Sequence, residues 1–392
     1  MRYAHIIGWG CYLPERILTN DDLARVVDTS HEWIYTRTGI RQRHIAGPRE
    51  TTSSMAFEAA VRALTVGGVP AHQIDLIIVA TATPDAMFPA TACLVQDRLG
   101  ARNAGAFDLS AACSGFVYAL NMAAQAIATG SIQHALVIGA EMLSRVLDWR
   151  DRGTCILFGD GAGAVLLQGS DVPGGLLASE LRSDGSGGDL LQLPAVYKNP
   201  MPFLGAEYFT QQNQKHNMIN MNGRQVFRFA TKVVASSIQE VLEQAKLTMA
   251  DVDLIIPHQA NTRIIETAAK KLKISPDKFF TNLDRLGNTS AASIPIALCE
   301  AAEQGLLKPD HNIVLVGFGG GLTWATAVVK WNVTRPEISP IRSRWRRWLF
   351  RLTRVGSWTR RVGRKLGSMV AGSPNPDARL KDAEKWKIHR DE

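Results

Sequence analysis

Four short apolar runs punctuate the chain, at residues 75–81 (DLIIVAT), 134–139 (HALVIG), 253–257 (DLIIP) and 312–317 (NIVLVG). They are rich in β-branched residues, bounded by turn formers, and continuous instead of alternating, which predicts strands in a sheet covered on both faces. Another apolar strand is predicted at residues 6–9. Between the runs, apolar positions recur at helical spacing over residues 53–65, 89–99, 113–129, 225–244, 262–272 and 290–304. Strand alternating with helix predicts an α/β fold.

The pattern also repeats. Asp75-Leu-Ile-Ile and Asp253-Leu-Ile-Ile lie 178 residues apart, and Val137-Ile138-Gly139 and Leu315-Val316-Gly317 share that offset. So do Ala119-Leu120 and Ala297-Leu298, in the helices between those strands. Three matches at one offset predict a duplication with pseudo-twofold symmetry. The turn-rich stretch at 170–185 divides it into halves 1–174 and 175–334. Sites in such folds form where loops from both halves converge at strand ends. Residues 194–222, rich in Pro, Gln and Asn, break the periodicity and predict a long loop over a substrate entrance.

Charge changes the picture at one end only. The chain of 392 residues has 46% hydrophobic residues and a net charge of +8, the composition of a packed globular protein. Residues 1–334 hold 28 Lys/Arg and 30 Asp/Glu, whereas residues 335–392 hold 16 and 6. The whole surplus therefore sits in the last 58 residues, and a basic nucleic-acid-binding body is excluded. No nucleic-acid partner is expected. No apolar run is long enough to span a bilayer, and no signal peptide is evident, so a cytoplasmic location is expected.

The five cysteines, Cys11, Cys93, Cys113, Cys155 and Cys299, are odd in number and widely spaced, without a C-x-x-C. Neither a disulfide framework nor a metal site is expected. Cys113 stands out because small residues flank it where a strand or turn gives way to a helix (Asp108-Leu-Ser-Ala-Ala-Cys113-Ser-Gly115). A helix N-terminus favours the thiolate, which predicts a lowered thiol pKa; the plainer reading is a small hydrophobe packed in the core. The other four cysteines take the plainer reading. Three further polar clusters follow strands or open helices: Pro257-His258-Gln-Ala-Asn261, Gly287-Asn288-Thr-Ser-Ala-Ala-Ser293 and Phe318-Gly-Gly320-Gly321. Each alone also fits a structural histidine, a cap or turn residue, and a flexible turn, respectively. Gly159-Asp-Gly161-Ala-Gly163 imitates a dinucleotide-binding loop but precedes a strand-like run, so it fails the context test.

Together these stretches carry a resemblance. With Tyr12-Leu-Pro-Glu15, Glu32-Trp-Ile, Arg37-Thr-Gly-Ile-Arg41, Asp151-Arg-Gly-Thr154 and Phe158-Gly-Asp160, they occur in order over residues 1–331. The chain resembles β-ketoacyl-acyl-carrier-protein synthase III, a condensing enzyme of the thiolase superfamily. The resemblance implies a five-layered α-β-α-β-α fold of two duplicated halves, a homodimer, and no permanently bound cofactor. It implies decarboxylating condensation of an acyl-CoA with malonyl-acyl-carrier protein, initiating fatty acid synthesis. Cys113 is then the acylated nucleophile, His258 and Asn288 hold the malonyl thioester oxygen, and the backbone N–H groups of Cys113 and Gly320 form the oxyanion hole. Trp33, Arg37 and Arg152 match CoA contacts. Gln259, Ala260, Asn261, Thr262 and Arg263 match a carrier-protein docking segment. Lys270 and Lys271 extend it, since i, i+7, i+8 spacing puts them on one helix face with Arg263. Phe88 matches a residue that reaches the partner subunit's acyl pocket. Relatives that abstract a proton use a glutamate or a second cysteine, so the Cys/His/Asn set favours decarboxylation. Two features depart from the family pattern: the long 194–222 loop, and Arg224 where a smaller polar residue is expected.

A secondary-metabolite condensing enzyme on the same scaffold is the alternative within the class. A membrane-tethered acyl- or carrier-binding protein without condensing activity is the alternative outside it, and the intact Cys113, His258 and Asn288 oppose it. The extension at 335–392 lies beyond the resemblance. Residues 342–365 contain nine Arg, one Lys and no acid. Apolar positions from Ile341 to Leu366 fall near one face at helical spacing, which predicts a basic amphipathic helix on an anionic membrane surface.

Overall fold

The computed structural model describes residues 2–194 and 217–333. The predicted alternation is present in both halves. The first runs β1 (Tyr3–Tyr12), β2 (Arg16–Thr19), α1 (Asn20–Leu23), α2 (His31–Thr38), β3 (Gln42–Ile45), α3 (Thr52–Gly67), β4 (Leu76–Ala80), α4 (Thr91–Leu99), β5 (Gly105–Leu109), α5 (Gly115–Ala128), β6 (His134–Glu141) and β7 (Gly161–Ser170). The second runs β8 (Gly175–Ser183), β9 (Leu191–Gln192), β10 (Asn220–Met221), α6 (Gly223–Gln244), β11 (Leu254–Pro257), α7 (Thr262–Leu272), α8 (Leu283–Leu286), α9 (Ser293–Glu303), β12 (Asn312–Gly319) and β13 (Thr323–Lys330).

The larger sheet has the order β1-β7-β6-β4-β5 and the second β11-β12-β13-β8. Read from β8, the second repeats the first, with a single parallel bridge from Ile255 to Phe279 where β5 would stand. Strands β4 and β11 begin 178 residues apart, as do β6 and β12, and α5 and α9. The offset seen in sequence is therefore a structural duplication.

The apolar faces explain the layering. Helix α3 and its neighbours bury Met55, Ala59, Leu64 and Val95 against one face of the first sheet. Phe116, Leu120 and Ile127 of α5 and Ile294 and Leu298 of α9 fill the space between the sheets with residues from both. Val234 and Ile238 of α6 and Ile264 and Ile265 of α7 cover the far face of the second sheet. The result is the five-layered α-β-α-β-α thiolase fold. Each fully buried Leu, Ile, Val or Phe side chain contributes about 1.5–3 kcal/mol of transfer free energy, which is what draws these helix faces onto the sheets.

Two glycines lock the halves together. A Cβ on Gly139 in β6 would meet the Ala291 carbonyl oxygen at 2.1 Å, and one on Gly317 in β12 would meet Ser114 Cα at 2.9 Å. These glycines are themselves 178 residues apart, so each sheet admits the turn of the opposite half where a side chain cannot fit.

Of the stretch predicted as a loop over an entrance, residues 195–216 lie outside the described residues, but Asn220–Met221 are paired as β10 with β9. The predicted amphipathic helix and everything from residue 334 onward also lie outside them. No helix among the described residues is long and apolar enough to cross a membrane.

Candidate active site

Cys113 is carried by a tight 3-10 turn, Ala112–Ser114, between β5 and α5. The turn begins with a left-handed residue, Ala112 at φ 46°. The duplicated turn in the other half, Ser290–Ala292, begins the same way, with Ser290 at φ 50°. Non-glycine residues in this region cost free energy and persist where surrounding contacts hold them. Those contacts are visible. Ser114 Oγ lies 2.8 Å from both the Ala111 carbonyl oxygen and Thr323 Oγ1, and Thr323 Oγ1 lies 3.0 Å from the Gly320 carbonyl oxygen. A Cβ on Gly319 would sit 2.6 Å from the Cys113 amide nitrogen, so only glycine lets β12 reach the turn.

His258 leaves the end of β11, its amide N–H bonded to Val316 O at 2.8 Å. Its ring is 2% exposed and meets the Phe318 ring edge-on at 5.0 Å. Nδ1 lies 2.6 Å from Ser293 Oγ at the start of α9. Burial pushes the imidazole down to about 3, so it is neutral at physiological pH. A Ser293 hydroxyl that donates to Nδ1 would place the proton of the neutral ring on Nε2.

Asn288 is held through its backbone by Leu157 O at 2.8 Å and by the Gly159 N–H at 3.0 Å. Its Oδ1 accepts the Ser290 N–H at 2.8 Å, which leaves the amide Nδ2 as its donor. This explains the strand-bound Gly159–Gly163 motif: it buttresses Asn288 and leads into β7.

A cavity of about 760 Å³ is lined by Trp33 and Arg37 and by Cys113, His258 and Asn288. A second, of about 490 Å³, meets it at Cys113, Phe158 and Leu191 and is bounded by Met87, Leu143 and Gly320. Cys113 thus stands where two cavities join. The larger carries Arg37, Arg224, Arg228 and Arg263 and, among its described lining residues, no carboxylate and no second cysteine. Such a cationic lining suits a phosphate-bearing ligand. Arg224, unexpected from the sequence, belongs to this lining, and Arg228 was not singled out there.

The predicted CoA contacts come together. The Arg37 guanidinium lies 4.3 Å from the Trp33 ring centroid and that of Arg152 lies 5.1 Å from it. Arg152 also pairs with Asp28 at 3.0 Å and is not among the cavity-lining residues. In the predicted docking segment, Arg263, Lys270 and Lys271 are exposed on α7, and Thr262 is half-buried. Ala260, Asn261 and Arg263 line the cavity, and Asn261 caps α7 while its Nδ2 donates to Arg37 O at 2.9 Å. Lys271 Nζ donates to Thr231 O at 2.6 Å. Phe88 is 87% exposed and is absent from both cavity linings of its own chain.

Three expectations are corrected. Gln259 is not exposed with the rest of the predicted docking segment: it is 1% exposed, its Nε2 donates to Pro257 O and Phe280 O, and its Oε1 accepts the Asn282 N–H. Cys93 is not buried but exposed. The Cys113 thiol is raised on balance, where the sequence predicts a lowered one. Burial dominates and pushes it up to about 12, against a hydrogen bond from Ser290 that pulls the other way, and with Glu141 adding to the rise. The helix begins at Gly115, two residues past the sulfur's own residue.

Residues that sequence reasoning did not single out include Ser290, Ser293, Thr323 and Glu141. Glu141, at the end of β6, is fully buried and accepts from Thr83 Oγ1 at 2.6 Å and Ser290 Oγ at 3.1 Å.

Residues 107–185 match the family 3-Oxoacyl-[acyl-carrier-protein (ACP)] synthase III, and residues 242–331 match its C-terminal domain. The chain is 52% identical over 333 residues to a beta-ketoacyl-[acyl-carrier-protein] synthase III of Clostridium acetobutylicum, covering 85% of this chain and 100% of that one. The crystal structure of 3-oxoacyl-[acyl-carrier-protein] synthase III from Aquifex aeolicus VF5 is 46% identical, with a TM-score of 0.77 over 84% of this chain and 100% of that one. The priming beta-ketosynthase from the R1128 polyketide biosynthetic pathway is 36% identical, with a TM-score of 0.78 over 86% of this chain and 98% of that one.

Proposed function

The chain belongs to the 3-oxoacyl-[acyl-carrier-protein] synthase III family, and on that premise we propose how its residues perform the condensation. It is an acyltransferase, a β-ketoacyl-acyl-carrier-protein synthase III, and initiation of fatty acid synthesis is consistent with its relatives. Its substrates are an acyl-CoA and malonyl-acyl-carrier protein, with no permanently bound cofactor.

Cys113 attacks the acyl-CoA thioester, and the acyl group lodges in the smaller cavity while CoA leaves through the larger. Malonyl-acyl-carrier protein then enters the larger cavity. Its thioester oxygen takes hydrogen bonds from His258 Nε2 and Asn288 Nδ2. As carbon dioxide departs, negative charge builds on that oxygen, and each aimed donor contributes about 3–4 kcal/mol to stabilising it. The enolate carbon attacks the acyl-Cys113 carbonyl, whose oxygen is received by the amides of Cys113 and Gly320. The observation that carries this reading is the meeting of Cys113, His258 and Asn288 on a cavity whose described lining holds no carboxylate and no second cysteine. Decarboxylation supplies the carbanion there without a base.

Trp33, Arg37 and Arg152 hold the nucleotide end of CoA. Arg263, Lys270 and Lys271 receive an acidic carrier protein at the cavity mouth. The chain works as a homodimer in which the exposed Phe88 closes the partner's acyl cavity. It resides in the cytoplasm and touches anionic membrane through residues 341–366.

Mass spectrometry of the enzyme after incubation with mixed acyl-CoAs tests the core of the proposal. An acyl adduct on Cys113, lost in Cys113→Ala, is expected; an adduct that survives in that variant would refute the assigned role. Deleting residues 335–392 should abolish sedimentation with anionic vesicles, and unchanged binding would sink the membrane contact.

A further inference from the structure

The reaction proposed above needs two N–H groups, those of Cys113 and Gly320, aimed at one oxygen, and they belong to turns from opposite halves of the chain. Cys113 is the second residue of the Ala112–Ser114 turn, and the first amides of a helical turn have no acceptor within it. Gly320 follows the last ladder pair of β12 and β13, Gly319 with Thr323. The spacing of the two donors therefore depends on how the turns are joined. Packing brings them close, since a Cβ on Gly319 would lie 2.6 Å from the Cys113 amide nitrogen. Apolar contact has no preferred direction, whereas a hydrogen bond does. The nucleophile turn also needs outside support, because it opens with Ala112 at φ 46°, a conformation that persists only where contacts impose it.

Two hydroxyls supply the directional contacts. Thr323 Oγ1 lies 3.1 Å from the Ala111 carbonyl oxygen, 3.0 Å from the Gly320 carbonyl oxygen and 2.8 Å from Ser114 Oγ. Ser114 Oγ in turn lies 2.8 Å from the Ala111 carbonyl oxygen. Ser114 is fully buried, and Thr323 lines the smaller cavity together with Cys113 and Gly320. Two hydroxyl protons are thus shared among contacts that tie one turn to the other. We propose that Thr323 and Ser114 are positioning residues, whose hydroxyls clamp the nucleophile turn to the Gly320 turn and set the spacing of the two N–H groups that receive the oxyanion. The inference rests on the condensing reaction proposed above. In each half-reaction a tetrahedral intermediate puts a negative oxygen at those amides, so the clamp acts on acylation as well as on condensation. Thr323 reaches carbonyls of both turns and carries more of the clamp than Ser114, which reaches the second turn only through Thr323.

The test uses the full-length enzyme, acetyl-CoA labelled with a heavy isotope at its carbonyl carbon, and the variants Thr323→Val, Thr323→Ser and Ser114→Ala. Valine puts a methyl of nearly the same size where the hydroxyl stands. Single-turnover acylation of Cys113, read by mass spectrometry, should fall about 10- to 100-fold in Thr323→Val, at or below the cost of losing one oxyanion donor outright. Affinity for acetyl-CoA should stay within about twofold, because the clamp lies away from the arginines of the larger cavity. Thr323→Ser should recover most of the rate, and Ser114→Ala should lose less than Thr323→Val. Infrared spectra of the labelled acetyl-enzyme give a readout that general loosening would not: with its two donors misaligned, the acyl carbonyl band moves to higher wavenumber in Thr323→Val and returns in Thr323→Ser. A folded Thr323→Val that acylates at the wild-type rate, or a slowed one whose carbonyl band stays at the wild-type position, would overturn the proposal. So would a slower rate matched by an equal loss of CoA affinity. Should Thr323→Val fail to fold, Ser114→Ala decides the matter, and an unchanged rate or an unchanged band there overturns the clamp. A wild-type enzyme that forms no adduct at Cys113 would instead overturn the condensing reading itself, and the role of the clamp with it.

Discussion

Removing the Ser293 hydroxyl isolates what holds His258 in its working form. Ser293 Oγ lies 2.6 Å from His258 Nδ1, and both side chains are buried. In Ser293→Ala, the buried Nδ1 loses its hydrogen-bond partner. Leaving a buried acceptor unpaired costs about 1–3 kcal/mol, and the ring escapes part of that cost by turning or by moving its proton to Nδ1. Either escape takes the Nε2 proton away from the malonyl thioester oxygen. A loss of about 1.4 kcal/mol in the preference for the donor form is a factor of about ten in rate. The ceiling is full loss of the donor, about 10²–10³, which His258→Ala should reach. The two half-reactions separate the effect. Carbon dioxide release from malonyl-acyl-carrier protein on preformed acyl-enzyme should fall about tenfold in Ser293→Ala, and acylation of Cys113 should stay within about twofold of wild type. Ser293→Thr keeps the hydroxyl and should recover most of the loss. Unchanged carbon dioxide release in folded Ser293→Ala, or an equal fall in acylation, would refute the assignment of His258 Nε2 as the donor.

His258 also makes stability depend on pH. Its folded value of about 3 lies below the ordinary 6.5, so the unfolded chain binds the extra proton as pH falls through 6.5. Stability is then lost at about 1.4 kcal/mol per pH unit from there toward the folded value. His258→Gln should flatten the fall of melting temperature on acidification, and a variant that parallels wild type would contradict the burial argument. In Gly139→Ala, the new methyl would meet the Ala291 carbonyl oxygen at 2.1 Å, whereas a Cβ on Gly185 would meet nothing within 4 Å. Calorimetry should find Gly139→Ala destabilised by at least about 1–3 kcal/mol and Gly185→Ala nearly neutral; equal melting temperatures would mean the halves do not meet at β6 as described. Arg37→Ala removes a guanidinium stacked at 4.3 Å on Trp33 at the cavity mouth. The KM for acyl-CoA should rise about tenfold or more with acyl transfer at saturation preserved, and an unchanged KM would remove Arg37 from CoA binding.

Much of this was legible in one dimension because the relevant signals are local. The strands β4, β6, β11 and β12 are continuous apolar runs, and their burial on both faces follows from that pattern. The helix bounds Thr262–Leu272 follow from Asn261 as cap and from the spacing of Ile264, Ile265, Ala268 and Leu272. Cys113, His258 and Asn288 each end a strand or open a helix, and the 178-residue repeat predicts that loops of both halves converge.

Other features depend on which residues come to surround a group, and no local pattern records that. The spacing of Arg263, Lys270 and Lys271 gives an exposed face, but Gln259, only four residues before Arg263, turns inward to bond Pro257, Phe280 and Asn282. The helix terminus beside Cys113 predicts a low thiol pKa, and burial by both halves reverses the sign. Glu141 reads as an ordinary strand-end acid until the fold brings Ser290, 149 residues away, to donate to it. The sequence by itself thus determined the architecture, the duplication and the candidate reacting groups, because periodicity, caps and motif order act within a few residues. The tertiary structure alone decided which of those groups are buried, which are charged, and which are wired together, because desolvation is the summed effect of neighbours brought in from both halves of the chain.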